Sequence, residues 1–313
     1  MALNVVDDRT RLALSNQLEL LCFRVLPDGT QFAINVFKVR EAVKFRTLTE
    51  LPESNPCIIG LLTLRKEIIP VVDLRHWLYM GGLRPKGYEE GFDSVDINES
   101  QIIICEFNNA TIGLWVYKAD YILRRNWEHI HVPVSSEFGN KTNNYTKNDK
   151  GDIVYIVDVE AMLAELFPMI AQGKAREADG LDALDLRDEL VLIAEDSRSA
   201  LKALTQVLDR FHVRYHAFDN GRKLLDYIQA HGVGGVGLII TDLEMPETSG
   251  FTVIRELKAG GETARIPIVV NSSMTGKSNQ EMAQQLNADG FIGKTNPREV
   301  AHYLQQFLGK SSA

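Results

Sequence analysis

The strongest constraint on this 313-residue chain lies in its last third, where polar residues close a series of apolar runs. Glu195 and Asp196 follow the run 190–194, and Asp242 follows 238–241. Ser272 lies just past 266–270, and Lys294 follows 291–292. The steps are 46 residues from Asp196 to Asp242, 30 from Asp242 to Ser272 and 52 from Asp242 to Lys294. Continuous apolar runs that alternate with helical patterns read as parallel strands, and open α/β sheets bind ligands beyond the carboxyl ends of their strands. Three carboxylates, one hydroxyl and one ammonium are therefore expected in a single crevice.

Helix signals fill the gaps between these runs. Ser197 reads as an N-cap, and Leu201, Leu204, Leu208 and Phe211 recur at helical spacing. A last helix opens with Asn296 as cap, Pro297 at its first position and Glu299 in its first turn, and it ends at Gly309. Five strand–helix alternations fit in about 120 residues, and right-handed crossovers make them a doubly wound sheet.

The texture before this region is β-rich. Strands are expected at 19–25, 31–36, 68–72, 101–107, 111–116, 121–124 and 153–157, with hairpin signals at Pro27-Asp28-Gly29-Thr30 and Asn108-Asn109. Helices are expected near 36–41 and at 159–167, the second halted by Pro168. Long polar interruptions at 81–100 and 135–151 point to a barrel or sandwich. Residues 1–15 read as loose. Residues 169–188 break the composition and set the domain plan: 15–168, a linker over 169–188, and 189–310.

Charge and cysteine content remove several classes of function. The net charge is −8, and residues 189–313 carry 13 positive against 14 negative side chains. No part has the positive excess that a phosphate backbone demands, so no nucleic-acid partner is expected. No stretch nears the ~20 apolar residues that cross a bilayer, so no membrane insertion is expected, and the amino terminus has no signal-peptide pattern. Cys22, Cys57 and Cys105 sit widely spaced in apolar sequence, which suits buried thiols in a reducing, cytoplasmic setting.

An oxygen-only acidic crevice suits Mg²⁺, and Asp242 is placed to attack a phosphoryl group in line. Lys294 can pair with a phosphoryl oxygen, and the Ser272 hydroxyl can bond the new phosphate and pull its loop inward. In the first part, His129 and His131 lack a third ligand and read as surface residues. Asp73 and Arg75 read as an ordinary strand-end pair.

Four stretches of the last third resemble the response-regulator receiver domain: Leu192-Ile-Ala-Glu-Asp, Ile240-Thr-Asp-Leu-Glu-Met-Pro with Gly250 following, Ile266-Pro-Ile-Val-Val-Asn-Ser-Ser, and Gly290-Phe-Ile-Gly-Lys. The resemblance implies a flavodoxin-like α/β fold in which Asp242 accepts phosphate from a histidine kinase. It implies Mg²⁺ held by Glu195, Asp196, Asp242 and the backbone carbonyl of Glu244. Ser272 and Phe291 would be the switch pair and Lys294 the phosphate contact. Two positions depart from the family: Thr295 stands where proline is usual, and Glu195 where aspartate is.

Gln31-Phe-Ala-Ile-Asn-Val-Phe-Lys-Val-Arg-Glu, then Ile59-Gly-Leu-Leu-Thr-Leu-Arg-Lys-Glu-Ile-Ile-Pro-Val-Val-Asp-Leu, and Tyr155-Ile-Val-Asp-Val-Glu-Ala-Met-Leu resemble the CheW-like chemotaxis coupling domain. That resemblance implies an all-β double barrel that contacts a chemotaxis histidine kinase and chemoreceptor cytoplasmic tips, with Val39, Glu41 and Arg65 facing partners. Lys66 stands where glycine usually follows that arginine.

The order of the two domains is similar to that of CheV-type chemotaxis coupling proteins. This implies an adaptor at receptor arrays, regulated by phosphorylation of Asp242 and not an enzyme. The alternatives are a phosphate sink for the kinase and a Mg²⁺-dependent phosphatase. The haloacid-dehalogenase signature needs aspartate two positions after its nucleophile; Glu244 stands there, and Pro246 fills the position two further on, so the signature fails.

Overall fold

The computed structural model describes residues 17–27, 29–51, 55–79, 99–107, 110–132, 138, 141–167, 184–294 and 296–310. The chain divides into two compact units, Leu18–Ala171 and one that contains Gln172–Ala313.

The first unit begins with β1 (Gln17–Arg24), β2 (Gln31–Asn35), β3 (Val39–Lys44), β4 (Ile58–Leu64), β5 (Glu67–Asp73) and helix α1 (Leu74–Tyr79). It continues with β6 (Gln101–Phe107), β7 (Ala110–Val116), β8 (Lys118–Asn126), β9 (Thr142–Lys147), β10 (Ile153–Val157) and helix α2 (Val159–Leu166). Two five-stranded sheets result, ordered β8-β1-β2-β10-β9 and β3-β6-β7-β5-β4. Each half of the unit supplies five strands and a helix, and each sheet takes two strands from one half and three from the other. The unit is an interlaced duplication.

Both sheets close by the same device. Past β8, His131 exchanges two backbone hydrogen bonds with Tyr145 of β9, at 2.9 and 2.8 Å. Past β3, Thr49 does the same with Leu61 of β4, also at 2.9 and 2.8 Å. Covering the edges in this way turns each sheet into a small barrel. Gly60 permits the second closure: its φ is +150°, and a Cβ there would lie 2.7 Å from the Thr49 carbonyl oxygen.

Each barrel has its own core, Leu18, Leu20, Cys22 and Val154 in one and Leu62, Ile69, Ile102 and Ile104 in the other. A third, shared core holds Phe23, Phe32, Ile103, Leu114, Trp77 and Met162. Strand β6 shows why the middle of its sequence, Ile102–Cys105, is an unbroken apolar run. Ile102 and Ile104 point into a barrel while Ile103 and Cys105 point to the shared core, and each buried isoleucine contributes about 1.5–3 kcal/mol.

Two readings of the sequence need correction here. Residues 36–41 are not a helix: a 3-10 turn at Val36–Lys38, capped by the Asn35 side chain, leads straight into β3. The branched Val39 and Val43 pair with β6, and that pairing outweighs the helical spacing. Strands β4 and β9 and helix α1 were not expected; β9 lies within the polar stretch 135–151. Segment 1–15, expected to be loose, most of 81–100 and most of 169–188 fall outside the described residues. Strands β1 and β2 pair antiparallel, as do β6 and β7, while Asp28, Asn108 and Asn109 of the expected turns lie outside the described residues.

In the second unit strands and helices alternate: β11 (Leu190–Ala194), α3 (Arg198–Arg210), β12 (Tyr215–Phe218), α4 (Gly221–His231), β13 (Val236–Thr241), α5 (Gly250–Ala259), β14 (Ile268–Ser272), α6 (Lys277–Gln285), β15 (Gly290–Gly293) and α7 (Pro297–Leu308). All pairings are parallel, in the order β12-β11-β13-β14-β15. This is the flavodoxin-like order, with its reversal at β11. Ser197 accepts from the Ala200 amide, and Asn296 from that of Glu299, each at 3.3 Å, so both expected caps form.

Candidate functional site

The strand reversal sets the ends of β11 and β13 side by side, and Glu195, Asp196 and Asp242 emerge there. One carboxylate oxygen from each of the three lies within 4.8 Å of the others. Glu195 and Asp242 are buried, and Asp196 stands exposed at the lip. Lys294, just beyond β15, reaches across with its ammonium 2.7 Å from Asp242 Oδ2 and 2.9 Å from Glu195 Oε1. The Leu243 amide donates to Asp242 Oδ1 at 2.7 Å, and the Ser197 amide to Glu195 Oε1 at 3.1 Å.

Gly250 allows this loop to close. A Cβ there would lie 2.0 Å from the Asp242 carbonyl oxygen, and the Gly250 amide donates to the Leu243 carbonyl at 3.1 Å. No larger residue lets α5 start so close to the strand end.

The electrostatics follow from crowding. Burial, then the Asp242 charge, pushes the Glu195 carboxyl up to about 8, with Lys294 opposing. The protein packed beneath Asp196, then Asp242 and Glu244, pushes its carboxyl up to about 6. Burial works against the Lys294 charge, but Asp242 and Glu195 overcome it and hold the ammonium above its ordinary range. One further observation bears on a cation. Glu195 Oε2 is buried with no hydrogen-bond partner among the described residues. Three carboxylates, one with an orphaned oxygen, are a donor set that fits a hard divalent ion such as Mg²⁺.

Ser272 closes β14 fully buried, and its hydroxyl accepts from the Met274 amide at 3.3 Å. Its carbonyl accepts from the Lys294 amide at 3.0 Å, which ties the two loops together. Phe291 is half-buried on β15 and pairs in register with Val270 of β14. Glu244 sits two residues past Asp242, and Thr295 lies outside the described residues. Sequence reasoning missed Tyr303, whose phenol oxygen accepts from the Phe291 amide at 3.2 Å. Nothing in the helical pattern of α7 marks it.

In the first unit, Arg65 and Glu41 meet at 3.1 Å, the arginine largely exposed. Arg40 of β3 joins Glu67 of β5 at 2.7 Å and Glu106 of β6 at 2.9 Å. Val39 packs against the shared core. Arg65 and Lys66 form the two-residue turn between β4 and β5 with φ of 49° and 73°. His129 and His131 are both exposed, and His129 pairs with Glu128 at 3.6 Å. Among the described residues no helix is long and apolar enough to cross a membrane.

Comparison with known proteins agrees with this architecture. Residues 19–167 match the CheW-like domain family, and residues 191–305 match the response regulator receiver domain family. The chain is 40% identical over 316 residues to Chemotaxis protein CheV1 of Helicobacter pylori, covering 97% of each chain. It is 37% identical over 318 residues to Chemotaxis protein CheV2 of the same organism, covering 97% of this chain and 98% of that one. A third relative there, Chemotaxis protein CheV3, is 29% identical over 325 residues, covering 95% and 96%. With a CheW-like double barrel followed by a receiver domain, and full-length likeness to such proteins, this chain belongs to the CheV-type chemotaxis coupling proteins.

Proposed function

We propose that this protein is a chemotaxis adaptor whose coupling is set by phosphorylation of Asp242. On this reading the first unit bridges chemoreceptor cytoplasmic tips and the chemotaxis histidine kinase, in the cytoplasm at receptor arrays. The second unit is its control input. The observation that carries the reading is Lys294, whose ammonium joins Asp242 to Glu195 at 2.7 and 2.9 Å in a crevice of three acids.

In the transfer, the phosphorus–nitrogen bond of a kinase phosphohistidine breaks as an Asp242 oxygen bonds to phosphorus, and the imidazole leaves. Asp242 Oδ1 is held by the Leu243 amide, which fixes the carboxylate for in-line attack. Glu195, Asp196, Asp242 and the Glu244 carbonyl would hold Mg²⁺, which when bound offsets charge on the phosphoryl oxygens. Lys294 compensates the remaining charge. The Ser272 hydroxyl, now accepting from the Met274 amide, would turn to the phosphoryl group, and Phe291 would follow it. Glu41 and Arg65, paired on the second barrel's surface, with Val39 behind them, form the partner face in this reading.

Incubation with a phosphorylated chemotaxis kinase and Mg²⁺ tests the control input. Label on the wild type and none on Asp242→Asn supports it; equal label on both overturns it. Co-sedimentation of the full chain with receptor–kinase complexes tests the adaptor. Binding that Arg65→Glu leaves untouched would remove that face from the reading.

A further inference from the structure

The segment entering the second unit is fastened to the far end of the last helix before it reaches β11. Leu186 forms an antiparallel bridge with Gly309. The Arg187 amide donates to the Leu308 carbonyl at 2.7 Å, and the Lys310 amide to the Asp185 carbonyl at 3.0 Å. Charge reinforces this clip: Lys310 meets the Asp185 carboxylate at 2.6 Å, and the Arg187 guanidinium donates to the Phe307 carbonyl. Leu184 and Leu186 pack on the core that also takes Tyr303 and Phe307.

The same helix holds the edge of the sheet. Two amides of edge strand β15 donate to side chains of α7 rather than to a neighbouring strand. That of Phe291 reaches the Tyr303 phenol oxygen at 3.2 Å, and that of Gly293 reaches Glu299 Oε2 at 3.2 Å. The Tyr303 ring lies directly on Gly290, where a Cβ would come within 2.4 Å of it, and stacks with Phe307 at 6.0 Å. Strand β15 therefore cannot shift without either losing these bonds or taking α7 with it. A shift of α7 in turn moves Leu308 and Gly309, to which residues 185–187 are bonded. Close-packed elements of this kind pass on displacement in discrete steps.

We propose that α7 and the clipped entry segment form a lever that carries the state of Phe291 to the connection between the two units, with Tyr303 as its positioning residue. The inference rests on the phosphoacceptor reading of Asp242 and adds where the signal leaves the domain.

Amide hydrogen exchange on the full-length protein tests it, with Asp242 labelling followed in parallel. A small acyl phosphate and Mg²⁺ supply the phosphoryl group. Exchange of the Arg187 and Lys310 amides is expected to change at least about fivefold on phosphorylation, the lower end of ordinary site-to-site coupling. In Tyr303→Phe, Asp242 is expected to take label as before while the clip amides stop responding. Label on Asp242 with unchanged clip amides overturns the lever and leaves the phosphoacceptor reading standing. A second arm needs no phosphoryl donor: Tyr303→Phe alone is expected to speed exchange at Phe291, Arg187 and Lys310 together. Faster exchange at Phe291 only would show that strand and clip are uncoupled, and the lever falls whatever Asp242 does.

Discussion

Arg75 folds back onto Asp73 two residues earlier, with Nε to Oδ1 at 3.0 Å and a second nitrogen to Oδ2 at 2.9 Å, and both side chains are buried. The guanidinium lies 3.7 Å from the centre of the Trp115 ring, and Asp73 also accepts from the backbone amides of Arg75 and His76. One carboxylate thus caps α1 and neutralises a buried cation, which in turn stacks on Trp115 of β7.

Removing one member leaves a buried charge uncompensated. Asp73→Asn is expected to destabilise the first unit by about 3–5 kcal/mol, read by denaturant unfolding of the full chain. A loss below about 1 kcal/mol, the worth of an exposed pair, would contradict the buried role.

The turn Arg65-Lys66 places two bulky residues at positive φ, 49° and 73°. Two-residue hairpin turns of this type favour glycine at the second position. Lys66→Gly is expected to relieve strain and gain about 0.5–1 kcal/mol, visible as a higher melting temperature of the first unit. An unchanged or lower value would show that the lysine fits its conformation without cost.

Lys294→Ala would strand Glu195 and Asp242 together without a cation. Metal-free unfolding of the second unit is expected to shift down by about 3–5 kcal/mol. Mg²⁺ should restore part of the loss, since a bound ion at a hundred times its dissociation constant adds about 2.7 kcal/mol. Equal Mg²⁺ response in wild type and Asp242→Asn would remove Asp242 from the ligand set.

The cysteines give a pH prediction. Burial pushes Cys22 up to about 12 and Cys57 up to about 11. Both thiols are neutral in the folded state at pH 8, and alkylation there should be more than about a hundredfold slower than in the unfolded chain, most so at Cys22. Because the folded values lie above the unfolded ones, this contribution to stability is complete below about pH 8.5 and fades as pH rises toward about 11 for Cys57 and about 12 for Cys22. Rapid native labelling at pH 8 would contradict the burial.

The second unit was legible because its signals are local. Strand β11 is buried on both faces and so reads as an unbroken apolar run, and Ser197 and Asn296 announce the helices they cap. The acids were legible because a parallel sheet brings strand ends together whatever their separation in sequence. Strand β9, Thr-Asn-Asn-Tyr-Thr-Lys, carries almost no apolar pattern and is set by β10 on one side and His131 on the other. Residues 39–44 carry a helical spacing that only pairing with β6 overrides. The Tyr303 bond to Phe291 links a helix face to a strand edge, and no spacing rule encodes it.

The barrel of β8-β1-β2-β10-β9 takes its first hairpin from the beginning of the unit and its other three strands from the end. During synthesis β1 and β2 must wait, with unpaired edges, until Val157 has left the ribosome. Such distant pairing is slow, since the ends of a long loop must be brought together before any contact rewards it. A nascent chain that stalls before β10 would present bare strand edges to its neighbours. The second unit, built from successive strand–helix pairs, carries no such delay. The interval for which the first hairpin stays uncovered is thus a window in which this chain offers bare strand edges while it is being made.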